Sequence, residues 1–301
     1  MTGTPPRRPA PHRPRLPRHL TALRAVDRGG PEHEDEGDPM ELWLLNNLDT
    51  AALTAVVVGT AVVVAGAGSL LVRRRFPQVV EGEHNEVIGV VLGLFGAIYG
   101  IILAFVIVNL WTQMEETRTG VAREATAAAT LVRDVQAFPP EPRERIDAAL
   151  GAYLHAVVDV QWPMMREGRP DFEATAGKAQ AVYEALQSYE PQSNTEQAYY
   201  DRAAEQLDEV VAERRARIAM ATRQLPPLLQ ALVYGGALVI VALTALYGTR
   251  RIRVQVLFTG TVAALIGFSL LLVLVLDRPF TGDLCVSPAP FKEGALAVFW
   301  P

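Results

Sequence analysis

The sequence predicts an all-α integral membrane protein: four transmembrane helices, with a helical extramembrane domain inserted between the second and third. Three observations predict it. Residues 51–72, 87–114, 224–249 and 254–276 each lack any charged side chain, and each run exceeds the roughly 20 helical residues that cross a hydrocarbon core about 30 Å thick. Residues 112–225 are polar, yet apolar side chains recur there at helical spacing. The links within each pair of spans are short and dense in arginine, the pattern of short loops at a membrane surface.

Residues 1–39 are set apart by composition. TGTPPRRPAPHRPRLPR is rich in proline and arginine, and an acidic block, PEHEDEGDP, follows it. Such a segment cannot bury an apolar core and is expected to be disordered. Met40 opens MELWLLNNLDT some ten residues before the first span, so the expectation is that Met40 is the true start or that residues 1–39 are dispensable. Residues 40–111 form the first pair of spans. The first ends at Arg73-Arg74-Arg75, where Phe76-Pro77 stops the helix. The second starts near Val87, and its stripe of Thr117, Val121, Ala125, Ala128, Leu131, Val132 and Val135 predicts one unbroken helix to about Ala137.

Within residues 112–225, Phe138-Pro139-Pro140 ends that long helix. A second helix should carry Ile146, Leu150, Tyr153, Leu154 and Val157 and stop at Trp162-Pro163, and a third should lie between Pro170 and Pro191. A fourth begins at SNTE, where Ser193 and Glu196 have capping-box spacing. It buries Tyr199, Ala203, Leu207, Val210 and Val211, and Arg214, Arg215 and Arg217 lead from it toward the membrane. Pro226-Pro227 predicts a break before the second pair of spans, residues 226–276, and residues 277–301 form a C-terminal tail.

Composition excludes several chemistries. Cys285 is the single cysteine, so an intramolecular disulfide and a cysteine-based zinc site are ruled out. A net charge of −5 gives no reason to expect nucleic-acid binding. No span holds Asp, Glu, Lys, Arg or His, which argues against a proton-driven pump. Phosphate-binding glycine loops, G-x-S-x-G elbows and histidine pairs at metal spacing are absent, and His155 stands alone on an apolar helix. The expectation is therefore no enzyme, no metal and no cofactor. Of the 28 basic residues only Lys178 and Lys292 are lysine, a bias that with the abundant alanine and valine suits GC-rich bacterial coding.

Two features could carry function. Gly89, Gly93, Gly96 and Gly100 share one face of the second span. Packing against another helix of the same chain is the commoner use of such a face, and a narrow pore axis in an oligomer is the sharper one. The fourth span has a weaker echo in Gly260, Ala263, Ala264 and Gly267. At the head of the second span, EGEHNEV holds Glu81, Glu83, His84, Asn85 and Glu86. In a helix His84 would point about 100° from its neighbours, which does not make a metal site. Asn85 is expected to cap the helix, its side chain accepting from the Val87 or Ile88 amide. Asp277-Arg278-Pro279-Phe280 closes the fourth span and reads as an adjacent ion pair with a proline stop.

EGEHNEV before a glycine-rich span, LDRPFTGD after the last span and SPAPF beyond it resemble the bacterial bestrophin-like membrane proteins over roughly residues 40–295. The resemblance implies a homo-oligomeric channel for small anions in the bacterial plasma membrane, with the second span lining the path. Its pore-facing candidates are Gly93, Gly96, Gly100, Phe95 and Phe105, with Gly89 on the same face. His84, Asn85, Asp277, Arg278, Pro279 and Phe280 become family motifs at the membrane edges. True bestrophins keep their helical domain in the cytoplasm, whereas the arginine loops here predict cytoplasmic loops and an extracytoplasmic domain. The alternative function is a non-conducting scaffold or envelope sensor. Its domain, with 19 acidic and 13 basic residues between positions 111 and 225, would bind a protein partner.

Overall fold

The computed structural model of the chain describes residues 39–76, 85–249 and 251–300. Among them every regular element is helical. Helix α1 (Pro39–Asn47) leads into α2 (Thr50–Arg75), whose N-cap Asp49 accepts the Ala52 amide at 2.9 Å. α3 (Asn85–Asp134) runs unbroken for 50 residues and closes in a 3₁₀ turn at Val135–Ala137. At 1.5 Å per residue it is about 75 Å long, more than twice the thickness of a bilayer core. The helices long and apolar enough to cross a membrane are α2, the first half of α3, α8 (Pro227–Leu246) and α9 (Ile252–Leu276).

The extramembrane domain consists of the second half of α3, α4 (Pro140–His155), α5 (Trp162–Arg166), α6 (Glu173–Gln187) and α7 (Asn194–Thr222). α3 and α7 are the most extensively packed pair, followed by α2 and α9 in the membrane. The predicted stripe of α3 is buried: Val121, Leu131 and Val135 are almost inaccessible, as are Ile146, Leu150 and Leu154 of α4 and Leu207 of α7. Each such side chain contributes about 1.5–3 kcal/mol on burial.

The boundaries follow from local chemistry, with two departures from expectation. Ser193 is the N-cap of α7 and accepts the Glu196 amide at 3.2 Å. Glu196 reaches back past the cap to the Gln192 amide (2.8 Å) and the Tyr189 hydroxyl, so the box closes one residue early. The helix from Pro140 does not stop at Trp162-Pro163. It widens into a π-helical segment, Ala156–Gln161, and continues as α5 with Pro163 in the first turn, where a proline's missing N–H breaks no bond. The extra residue of the π segment also turns Gln161 inward, where it donates to the Asp171 carbonyl and accepts from Thr175.

The second departure concerns Arg214 and Arg217. Instead of leading toward the membrane surface, both point into the domain and are 2% exposed. Arg217 of α7 grips Glu124 of α3 through two contacts, Nε–Oε2 at 2.7 Å and Nη2–Oε1 at 3.2 Å, and both side chains are fully enclosed. The Tyr153 hydroxyl of α4 donates to the same carboxylate at 2.6 Å. Burial, reinforced by the Glu124 charge, pushes the Tyr153 phenol well above its ordinary range, so it stays a donor. Arg214 donates to the Thr175 hydroxyl and the Phe172 carbonyl and lies over the Phe172 ring.

Removing one partner of an enclosed ion pair leaves an uncompensated charge. E124Q is expected to lose about 3–5 kcal/mol of stability in detergent, while the double change E124M/R217M recovers most of the loss. Thermal unfolding of the three proteins checks this, and equal losses in single and double variants would contradict it.

Candidate functional site

The membrane half of α3 presents three faces, each set by its sequence. The first is the packed face, where Tyr99, Leu103, Val106 and Leu110 are buried. Tyr99 lies against Gly236 of α8, where any larger residue would collide with the ring, and its hydroxyl donates to the Val233 carbonyl at 2.8 Å. The small residue that packing within the chain requires is thus Gly236, and in α9 Gly267, whose Cβ position is 3.0 Å from Ala61.

The glycine row of α3 forms the second face and behaves differently. A Cβ built at Gly93, Gly96 or Gly100 would meet nothing within 4 Å among the described residues, and at Gly89 only Tyr247 at 3.7 Å. The expected packing of this row inside one subunit is therefore absent at three of its four positions, because the chain's own close approaches fall elsewhere. Gly96 and Gly100 instead open onto a mainly apolar groove walled by Ile240 and Thr244 of α8 and Leu265 and Ser269 of α9.

A ridge of large side chains makes the third face. Leu94, Ile98, Ile101 and Phe105 are 64, 53, 60 and 72% exposed, and their spacing places them within about 60° of one another. Phe105 is five residues, or about 140°, from Gly100, and Phe95 is about 100° from Gly96. The candidate glycines and Phe105 therefore cannot face one common axis.

At the head of α3, His84, Glu81 and Glu83 lie outside the described residues. Asn85 is the first helical residue, and its side chain is spent across the membrane surface, not on its own helix as a cap. Its Oδ1 accepts the Gly248 amide at 2.9 Å and its Nδ2 donates to the Gly248 carbonyl at 2.6 Å. A primary amide matches a peptide group donor for acceptor, which pins α3 to the turn between α8 and α9. That partner is 163 residues away in sequence.

The DRPF segment sits at the opposite end. Its two charges do not pair with each other. Asp277 accepts the Leu225 amide at 2.8 Å, in the break between α7 and α8, while Arg278 reaches Glu41 of α1 at 3.4 Å. The Pro279 carbonyl accepts the Val286 amide at 2.7 Å. Phe280 is buried and meets Trp162 edge-on at 5.4 Å, and Trp162 lies 5.6 Å from the Arg217 guanidinium. The motif thus connects α1, the α7–α8 break and the buried ion pair. Burial pushes the Asp277 carboxyl up to about 6, against the downward pull of the Leu225 amide and Arg278.

His155 lies 2.8 Å from Asp159 and 3.0 Å from the Phe299 carbonyl, with the Trp300 ring tilted against it at 4.1 Å, so it anchors the C-terminal tail. No group of three or more His, Cys, Asp or Glu side chains able to hold a metal occurs among the described residues. The sequence reading missed the Glu124–Arg217–Tyr153 cluster. Its one legible signal is that Glu124 falls within the buried stripe of α3, where an unpaired acid would be costly.

A family model described as Bestrophin-like domain matches residues 59–291. Solved structures share the fold at low identity. A bacterial bestrophin homologue from Klebsiella pneumoniae, carrying an isoleucine-to-threonine substitution, superposes with a TM-score of 0.61 at 15% identity, covering 81% of this chain and 99% of that one. A second form, with leucine changed to threonine, gives 0.59 at 15% identity, with 80% and 96% covered. A structure described as a membrane protein with a glycine-to-alanine change gives 0.60 at 15%, with 80% and 98% covered. No curated protein matches the chain.

The raised Asp277 carboxyl has a signed consequence. The folded state binds that proton more tightly than the unfolded chain, so its stabilisation is full below about pH 4 and is lost as pH rises through about 6. The loss amounts to roughly 2–3 kcal/mol. D277N should flatten this part of the stability profile, measured by chemical unfolding at stepped pH. An unchanged slope in the variant would assign the effect to other groups.

Proposed function

Because the chain belongs to the bestrophin-like family, we propose that several copies surround a path for small anions, with the membrane half of α3 lining it. One observation supports this reading above the others: the described residues leave two faces of α3 largely uncovered. The glycine row borders an open groove, and the ridge of Leu94, Ile98, Ile101 and Phe105 stands exposed well around the helix from it. In the proposed assembly a neighbouring subunit fills the groove, where small residues allow close helix approach. The ridge then faces the axis as a hydrophobic constriction that gates by wetting. Phe105 is its most exposed member, which makes it the residue on which conduction depends most.

The absence of ionisable side chains inside the spans suits passive flow better than coupled transport. In the proposed orientation the arginine links face the cytoplasm and the α3–α7 domain faces outward. The rival reading is a non-conducting scaffold or sensor, favoured by the excess of acid over base in the extramembrane domain.

Conductance separates the two. Purified protein in planar bilayers should give an anion-selective current that F105A enlarges or leaves open. A well-folded oligomer that passes no current would refute the channel. Gly100→Leu should leave the subunit folded, since its Cβ meets nothing, yet reduce assembly size on a sizing column. Gly236→Leu, by contrast, should unfold the subunit itself. A cysteine placed on the exposed side of α7, in a C285A background, should react with a membrane-impermeant reagent in intact cells. Reaction only after lysis would reverse the orientation.

A further inference from the structure

The arginines of the two short links are distant in sequence but meet at one membrane edge. α2 and α9 pack along their length, with Gly260 beside Val62 and Gly267 beside Ala61. This brings the end of α2, at Arg73-Arg74-Arg75, to the start of α9, at Arg251 and Arg253. Arg73 locks the junction, its Nη1 donating to the Thr249 carbonyl at 3.0 Å and the Gln255 side chain at 3.3 Å. Arg74, Arg75, Arg251 and Arg253 are all exposed and make no ion pair among the described residues.

The aromatic residues at this level mark it as the interfacial zone. Tyr247 and Phe258 contact ring to ring at 5.7 Å, and Phe76 is exposed. Aromatic rings of this kind favour the depth of lipid headgroups. Four guanidinium groups that make no ion pair among the described residues have a defined complement at that depth. A guanidinium presents a planar fork of donors that matches phosphate oxygens two at a time, and it sheds water more readily than an ammonium group. Lysine, a weaker match in both respects, is absent from this edge.

We propose that Arg74, Arg75, Arg251 and Arg253 form a binding site for a phosphate-bearing anion, occupied by the headgroup of an anionic phospholipid. The site binds at the seam between α2 and α9 and therefore stabilises their packing. It does not depend on whether the assembly conducts.

The test uses the full chain in neutral detergent, supplemented with phosphatidylglycerol, with phosphatidylcholine, or with inorganic phosphate. Thermal unfolding and the lipid retained in native mass spectra are the readouts. Phosphatidylglycerol should raise the unfolding temperature and remain bound, phosphatidylcholine should do neither, and the retained lipid should fall as salt rises. The R74Q/R75Q/R251Q/R253Q protein should bind phosphatidylglycerol roughly tenfold or more weakly. If that variant fails to fold, R251Q/R253Q provides the same comparison at smaller size. Stabilisation by inorganic phosphate at matched concentration would show that the phosphate group suffices, and its absence would show that the lipid is needed. Equal retention of both lipids, or a neutralised variant that binds phosphatidylglycerol like the parent, would overturn the proposal.

Discussion

The enclosed ion pair between Glu124 and Arg217 governs more of this structure than its size suggests. It joins the two longest helices of the extramembrane domain, and α3 continues from it without a break into the membrane. Each residue of an α-helix is rotated about 100° from the last. Fixing the rotation of α3 at Glu124 therefore fixes which way Gly100 and Phe105 point some twenty residues earlier. The Tyr153 hydroxyl and the nearby Trp162 ring tie α4 and α5 to the same point. Through Phe280 the contact reaches the end of α9 and the C-terminal segment. A salt bridge of this kind adds little net stability compared with apolar packing. Its role here is to set register: a slip of one residue along either helix would leave two charges buried and unpaired.

Much of the fold was legible because the bilayer leaves a chain few options. Runs without charge must be helices of known length, and the long α3 followed from a stripe that never lost its period. The proline pairs marked helix ends correctly at Phe138 and Pro226. The single proline of Trp162-Pro163 misled, because a π segment changes the bonding pattern and periodicity gives no sign of it. The arginines of α7 misled for another reason. Arg214 and Arg217 look like surface charge until α3 supplies Glu124 and α6 supplies Thr175, and those partners lie 93 and 39 residues away. Asn85 repeats the lesson, since its local role as a cap lost to a better match on Gly248.

The candidate site was only partly legible. The glycine row was visible as a row, but its openness depends on where α8 and α9 fall. The sequence places Phe105 and the glycines on one span, and only their rotation about the helix axis separates their roles. The two ends of the membrane region also differ in chemistry. One carries exposed arginines held by the Arg73 lock, and the other carries Asp277 receiving the amide at the α7–α8 break. An anion path through such a molecule would run from a basic rim, past an apolar constriction, to a domain whose registration depends on one buried pair.

In the proposed assembly, other copies of the chain complete α3. The most direct measurement is the mass of the purified protein in mild detergent, corrected for bound detergent and lipid. One discrete oligomer of at least three chains, enough to enclose an axis, is the expected result. A stable, folded monomer under conditions that preserve its helical signature would contradict it.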